Sequence, residues 1–135
     1  MSFQTEIEIP KKPVVLILDD DELCQAQLKL VCLQANANIH PVSAKNPEAA
    51  KQVLQDQFVH VLILDRDLGR DSEGSLINGI DFISDFLAIQ PYLQIVVVTG
   101  SREVDDVVRA MKSGAINYIL KDDSSFRRFS RAKEN

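Results

Sequence analysis

Hydrophobic residues in this chain gather into short unbroken runs, each closed by a polar residue. The clearest lie at 14–18, 61–64 and 95–98, with a fourth in the stretch INYILKDD. Runs that are rich in β-branched residues and do not alternate suit strands covered on both faces, as in parallel sheets. The intervals between them read as helices. Residues 22–34 place Leu23, Ala26, Leu30 and Leu33 at spacings of three and four, the stripe of an amphipathic helix. A weaker strand at 38–42 leads to NPEAAKQVLQDQ, where Asn46 is suited to an N-cap and Pro47 to the first helical position. A polar, glycine-containing loop spans 69–78, followed by an amphipathic helix over 79–89 that ends before Pro91. A further helix over 105–113 stops at Gly114, as a left-handed terminal residue would stop it. The closing SSFRRFSRAKEN reads as a short final helix. Strand then helix, five times over, predicts a doubly wound α/β fold: a parallel sheet with helices on both faces and right-handed crossovers.

Composition narrows the picture. At 135 residues the chain has room for one domain with a real core. With 45% hydrophobic and 26% charged residues it has the balance of a soluble globular protein. A net charge of -5 argues against a nucleic-acid surface spread over the whole molecule. Cys24 and Cys32 lie on one predicted helix about 12 Å apart along its axis, too far for a disulfide. They read as reduced core or boundary residues of a cytoplasmic protein. No stretch is apolar for long enough to span a bilayer, and no signal-peptide segment opens the chain.

Candidate chemistry follows from the strand ends. In open parallel sheets, ligands bind beyond the strands' carboxyl ends at a topological switch point. Read in order, those ends carry Asp19 and Asp20, then Asp65, then Thr99, then Lys121. Three carboxylates in one cleft repel one another, so at least one should have a raised pKa without a metal. A hard divalent cation such as magnesium takes oxygen ligands and would relieve that repulsion. Thr99 offers a hydroxyl and Lys121 a compact positive charge to phosphoryl oxygens, with Gly100 leaving room for the group to enter. Asp21 reads as the N-cap of the first helix. His40 and His60 stand outside any ligand spacing and read as structural, His60 as a strand residue beside the core.

The pieces LILDDDE, LILDRDL, NGIDFI, IVVVTGS and AMKSGAINYILK occur in an order that resembles the receiver domain of two-component response regulators, from about 13 to 130. Residues 1–12 are then a flexible leader and 131–135 a tail or the start of a linker. The resemblance implies a CheY-like, flavodoxin-like sheet of five parallel strands in the order 2-1-3-4-5. It implies Asp65 as the phosphorylated aspartate, and Asp19, Asp20, Asp65 and the Asp67 backbone carbonyl around magnesium, with manganese as a substitute. It implies Thr99 and Lys121 on the phosphoryl oxygens, and Tyr118 as the aromatic that turns inward with Thr99. A histidine kinase or histidine phosphotransfer protein would be the donor. The last two strands and helices would form the responding surface, for an effector domain or partner or for a phosphorylation-dependent homodimer, with no nucleic acid or membrane bound by this domain. Three features depart from the family pattern. Asp122 stands where proline usually follows the lysine in a cis bond, Leu68-Gly69 stands in the segment after Asp65 that usually contains a proline, and RDSEGSLI lengthens the loop before Asn78-Gly79. That loop reads as a tolerated insertion, with a lid or partner contact as the alternative. Asp67 brings a further carboxylate beside Asp65 and is expected to alter phosphoryl lifetime.

Two other function classes compete. LILDRDLG also resembles the strand-borne DxD motif of haloacid-dehalogenase-type phosphohydrolases. Those enzymes carry the nucleophile on the first strand, whereas here the acidic pair comes first. A receiver fold serving only as an interaction or dimerisation module is the other, against which the full set Asp20, Asp65, Thr99 and Lys121 argues.

Overall fold

A computed structural model describes residues 8–100 and 103–121 of the chain. The elements run β1 (Val14–Leu18), α1 (Glu22–Ala35), β2 (His40–Ala44), α2 (Pro47–Asp56), β3 (Val61–Asp65), β4 (Asp67–Arg70), β5 (Leu76–Asn78), a 3-10 turn (Gly79–Phe82), α3 (Ile83–Ile89), β6 (Gln94–Thr99), α4 (Val104–Ser113) and β7 (Asn117–Leu120). Five of these strands form one parallel sheet ordered β2-β1-β3-β6-β7. With the β4–β5 pair set aside, this is the expected 2-1-3-4-5 order. The proposed C-terminal helix, the basic residues Arg127, Arg128, Arg131 and Lys133, and the Lys121–Asp122 peptide bond lie outside the described residues, as do positions 1–7 of the leader.

The strands are apolar throughout because both faces of the sheet are covered. Leu16, Leu18, Leu62, Leu64, Ile95 and Val97 share one core with Leu54 of α2, Phe86 of α3 and Ala110 of α4. Val15, Ile17, Ile63, Val98 and Ile119 face the other way and meet Leu28 and Cys32 of α1. The period-two alternation of a strand divides each apolar run between these two cores.

Local signals are realised at several element ends. Asp21 caps α1 through Leu23 N, Asn46 caps α2 through Ala49 N with Pro47 at its start, and Gly114 closes α4 at φ 117°. His60 is structural but precedes β3, and its Nδ1 accepts from Val14 N at 3.0 Å.

Five expectations need correcting. The strand expected at 38–42 forms two residues later, and α4 begins at Val104. The helix expected over 79–89 opens with the 3-10 turn, and α-helix begins only at Ile83. The segment at 69–78 is a β-hairpin, not an open loop: β4 and β5 pair antiparallel. Its tip is closed by Asp71, whose Oδ1 accepts from Glu73 N and Ser75 N at 2.9 and 3.0 Å. Strands of four and three residues are too short to show a period of two.

The fifth correction concerns α1. Leu23, Leu30 and Leu33 are 67%, 57% and 43% exposed, while Gln25, Leu28 and Cys32 are buried. Both sets have helical spacing, and a polar anchor decides between them. Gln25 Nε2 donates to Asp19 O at 2.6 Å and to Ala44 O at 3.0 Å, which fixes that face of α1 over the ends of β1 and β2. The leucine stripe is left facing outward.

Candidate functional site

At the carboxyl edge of the sheet, β1 runs directly into Asp19. Asp19 N donates to Ala44 O at 3.1 Å, and its Oδ1 accepts from Asp21 N at 2.9 Å. Central strand β3 ends on Asp65, only 5% exposed, whose Oδ1 accepts from Asp67 N at 3.2 Å. Strand β6 pairs with β3 on one side and β7 on the other, bringing the buried Thr99 to the same edge. Lys121 follows β7 with its N–H on Thr99 O at 2.8 Å. From there its Nζ reaches 3.3 Å from Asp65 Oδ1 and 3.6 Å from Asp19 Oδ2. Carboxylate oxygens of Asp19, Asp20 and Asp65 lie within 4.8 Å of one another, Asp20 from the solvent side.

The charges do not balance. Burial and the neighbouring Asp19 carboxylate push Asp65 up to about 7, against the opposing pull of Lys121 and the Asp67 N–H. Burial works against the charge on Lys121 too, but Asp65 and then Asp19 outweigh it and hold its pKa above the ordinary value. One ammonium shared between two buried carboxylates cannot offset both. Asp19 Oδ2 is buried and accepts no hydrogen bond among the described residues. An all-oxygen donor set with an orphaned buried acceptor fits a hard divalent cation.

Two glycines are fitted to the site. A Cβ on Gly79 would lie 2.2 Å from the backbone oxygen of Asp65 and 2.9 Å from Leu64 Cδ1, so only glycine lets the 3-10 turn pass there. Gly69 adopts φ +79°, and a Cβ there would sit 2.9 Å from Asp20 Oδ2. The hairpin thus borders the acidic cluster directly. Arg66, next to Asp65, pairs with Asp67 Oδ1 at 2.7 Å and with Asp106 Oδ2 of α4 at 2.8 Å.

The structure therefore gathers Asp19, Asp20, Asp65 and Lys121 into one cluster with Thr99 at its edge. Tyr118 lies half-buried on β7 against the larger core. Gln25, Arg66, Gly69 and Gly79 were not singled out from the sequence. Only Gly79, in the NGIDFI piece, had a signal there.

Comparison with known proteins agrees. A family profile described as "Response regulator receiver domain" matches residues 15–128. The alginate biosynthesis transcriptional regulatory protein AlgB of Pseudomonas aeruginosa is 30% identical over 106 residues, covering 78% of this chain and 22% of that protein. A putative response regulator, NtrX-like, of Rickettsia felis is 31% identical over 111 residues, covering 79% of this chain and 21% of its own. The chain thus spans about a fifth of the length of these relatives. In fold it is similar to a response regulator from Burkholderia pseudomallei (TM-score 0.73, 22% identity, 91% of this chain and 72% of that one). It is equally similar to a two-component response regulator from Clostridium difficile (TM-score 0.73, 21% identity, 91% and 94%). The profile match over most of the chain and the acidic cluster at the sheet edge lead to one conclusion: this chain belongs to the response regulator receiver domain family of two-component systems.

Proposed function

We propose that Asp65 is the acceptor of a phosphoryl group from a phosphohistidine, carried by a sensor histidine kinase or histidine phosphotransfer protein. The observation that carries this reading is the buried Asp65 carboxylate with Lys121 Nζ 3.3 Å away, at the end of the central strand. A carboxylate oxygen attacks phosphorus in line, the P–N bond breaks, and the imidazole leaves with the electron pair. Lys121 and the Asp67 N–H face the oxygens on which charge gathers, and Thr99 supplies a hydroxyl at the same edge. Asp19, Asp20, Asp65 and the Asp67 carbonyl are the groups that would hold magnesium or manganese. When bound, the cation supplies charge neutralisation for the incoming phosphoryl. The Burkholderia pseudomallei neighbour of the same fold is described with a phosphorylated aspartic acid and a calcium ion, which is in keeping with this reading.

Tyr118, on the strand that carries Lys121, is the aromatic we assign to the switch, responding with Thr99. The output surface is that of β6, α4 and β7, acting on an effector domain or partner or through a phosphorylation-dependent dimer. The boundaries we assign are a receiver domain over 13–130, flanked by a leader and a tail. The domain is a signalling module that catalyses only its own phosphorylation and dephosphorylation. No described helix is long and apolar enough to cross a membrane, and we assign the domain to the cytoplasm. Incubation with acetyl phosphate, with magnesium and then with chelator, tests the reading: acid-stable but base-labile phosphate should appear only with the cation and only on Asp65. Magnesium binding without phosphoryl uptake or beryllofluoride binding would favour an interaction module instead.

A further inference from the structure

Arg66 directly follows the proposed acceptor, and its main chain is held on both sides. Its N–H donates to Val98 O at 3.3 Å, and its carbonyl accepts from Gly79 N at 2.7 Å. The guanidinium is divided between two acids from different elements. Nη1 lies 2.7 Å from Asp67 Oδ1 and Nη2 lies 2.8 Å from Asp106 Oδ2. Asp106 is a buried carboxylate in the first turn of α4. Asp67 in turn donates its N–H to Asp65 Oδ1 at 3.2 Å. A continuous chain of polar contacts thus leads from the acceptor carboxylate through Asp67 and Arg66 into α4. One turn further along α4, Arg109 pairs with Asp81 of the 3-10 turn and lies 4.0 Å from Asp106. Two arginines, Arg66 and Arg109, thus tie the helix to the segments flanking Asp65.

Resting on the phosphoacceptor reading above, we propose that Arg66 is the positioning residue through which the charge on Asp65 is transmitted to α4. Phosphorylation takes the ionised carboxylate from one negative charge to about two and sets three strong acceptor oxygens beside the Asp67 N–H. Arg66 is the cation adjacent in sequence to that charge, and its buried Nε–H makes no hydrogen bond among the described residues. A guanidinium has donors in a fixed fork, so turning towards new phosphoryl oxygens draws Nη2 away from Asp106. Its link to Asp67 keeps it at the site while it does so. The first turn of α4 then loosens in the loaded state and is clamped in the unloaded one. A buried carboxylate whose close pair with Arg66 is broken gives α4 a discrete second arrangement, as a switch requires.

The test is hydrogen exchange of the α4 amides in the full chain, with and without magnesium and beryllofluoride, in wild type, Arg66→Met and Asp106→Asn. Beryllofluoride binding to each protein is measured separately by calorimetry. In wild type, loading should speed α4 exchange about fivefold or more. In both variants α4 should exchange fast without ligand and respond little to loading, while beryllofluoride still binds. The two variants cut the same link from opposite ends, so the result stands if one of them folds poorly. Retention of the full wild-type response by either folded variant overturns the proposal. A wild type that binds beryllofluoride with no change in α4 overturns it as well. A wild type that fails to bind beryllofluoride overturns the phosphoacceptor reading first, and the calorimetry separates that failure from the others.

Discussion

Lys121 Nζ lies 3.3 Å from Asp65 Oδ1, across from the strand end that bears the acceptor carboxylate. This contact joins β7 to β3 over the intervening β6, and it places the only described lysine at the acidic cluster. Its consequence is electrostatic. Replacing Lys121 by methionine keeps the aliphatic stem and removes the charge facing the incoming phosphoryl. Loss of one such charge-assisted contact, of about 1.5–3 kcal/mol, predicts a roughly 10- to 100-fold slower uptake from acetyl phosphate. Rates for wild type and Lys121→Met at saturating magnesium check this, with equal rates as the contrary result.

The raised pKa of Asp65 predicts how stability varies with pH when metal is chelated. The folded carboxyl, at about 7, binds its proton more tightly than the unfolded one at 3.8. Between those values the folded state carries more protons, so stability falls as pH rises through the window and the full penalty is present above it. Asp65→Asn removes the group that titrates. Its stability advantage over wild type should therefore grow from near zero around the lower limit to about 2–4 kcal/mol at slightly alkaline pH. Urea unfolding of both proteins across that range, in chelator, measures the difference, and a flat difference would contradict the account.

Asp20 and Asp19 differ in burial, and the difference separates affinity from stability. Asp20 is exposed, so Asp20→Asn should leave metal-free unfolding within about 0.5 kcal/mol of wild type. The same change removes one of three clustered carboxylates and should weaken magnesium binding at least about tenfold. Calorimetric titration and metal-free unfolding, side by side, test both halves.

The two glycines at the site predict distinct outcomes. Gly79→Ala places a methyl 2.2 Å from the Asp65 oxygen and should destabilise the fold by about 2–4 kcal/mol. Gly69→Ala must hold a left-handed φ, costing about 1–2 kcal/mol, and presses on Asp20. It should weaken magnesium binding more than its modest stability loss suggests. Denaturant midpoints with matched magnesium titrations distinguish the two.

Much of this architecture is legible in the sequence because parallel strands buried on both faces leave unbroken apolar runs, each ending at a site residue. The runs closing on Asp19, Asp65 and Thr99 located the sheet edge, and capping chemistry located Asp21, Asn46 and Gly114. What stayed hidden depends on tertiary contact. Spacing could not say that Gln25 rather than Leu23 faces the sheet, because the choice is made by two carbonyls brought together by β1 and β2. The β4–β5 hairpin has too few residues for a period. The Arg66–Asp106 pair joins residues forty positions apart, and nothing local to either one marks it.

The proposed chemistry of this domain turns on Asp65 taking up a phosphoryl group. Intact-protein mass spectrometry after incubation with magnesium and acetyl phosphate tests it most directly, with Asp65→Asn and a chelated sample in parallel. Wild type alone should gain a single phosphoryl group, lost on mild base treatment. An adduct of the same size on Asp65→Asn would contradict it, as would no adduct in a wild type that also fails to bind beryllofluoride.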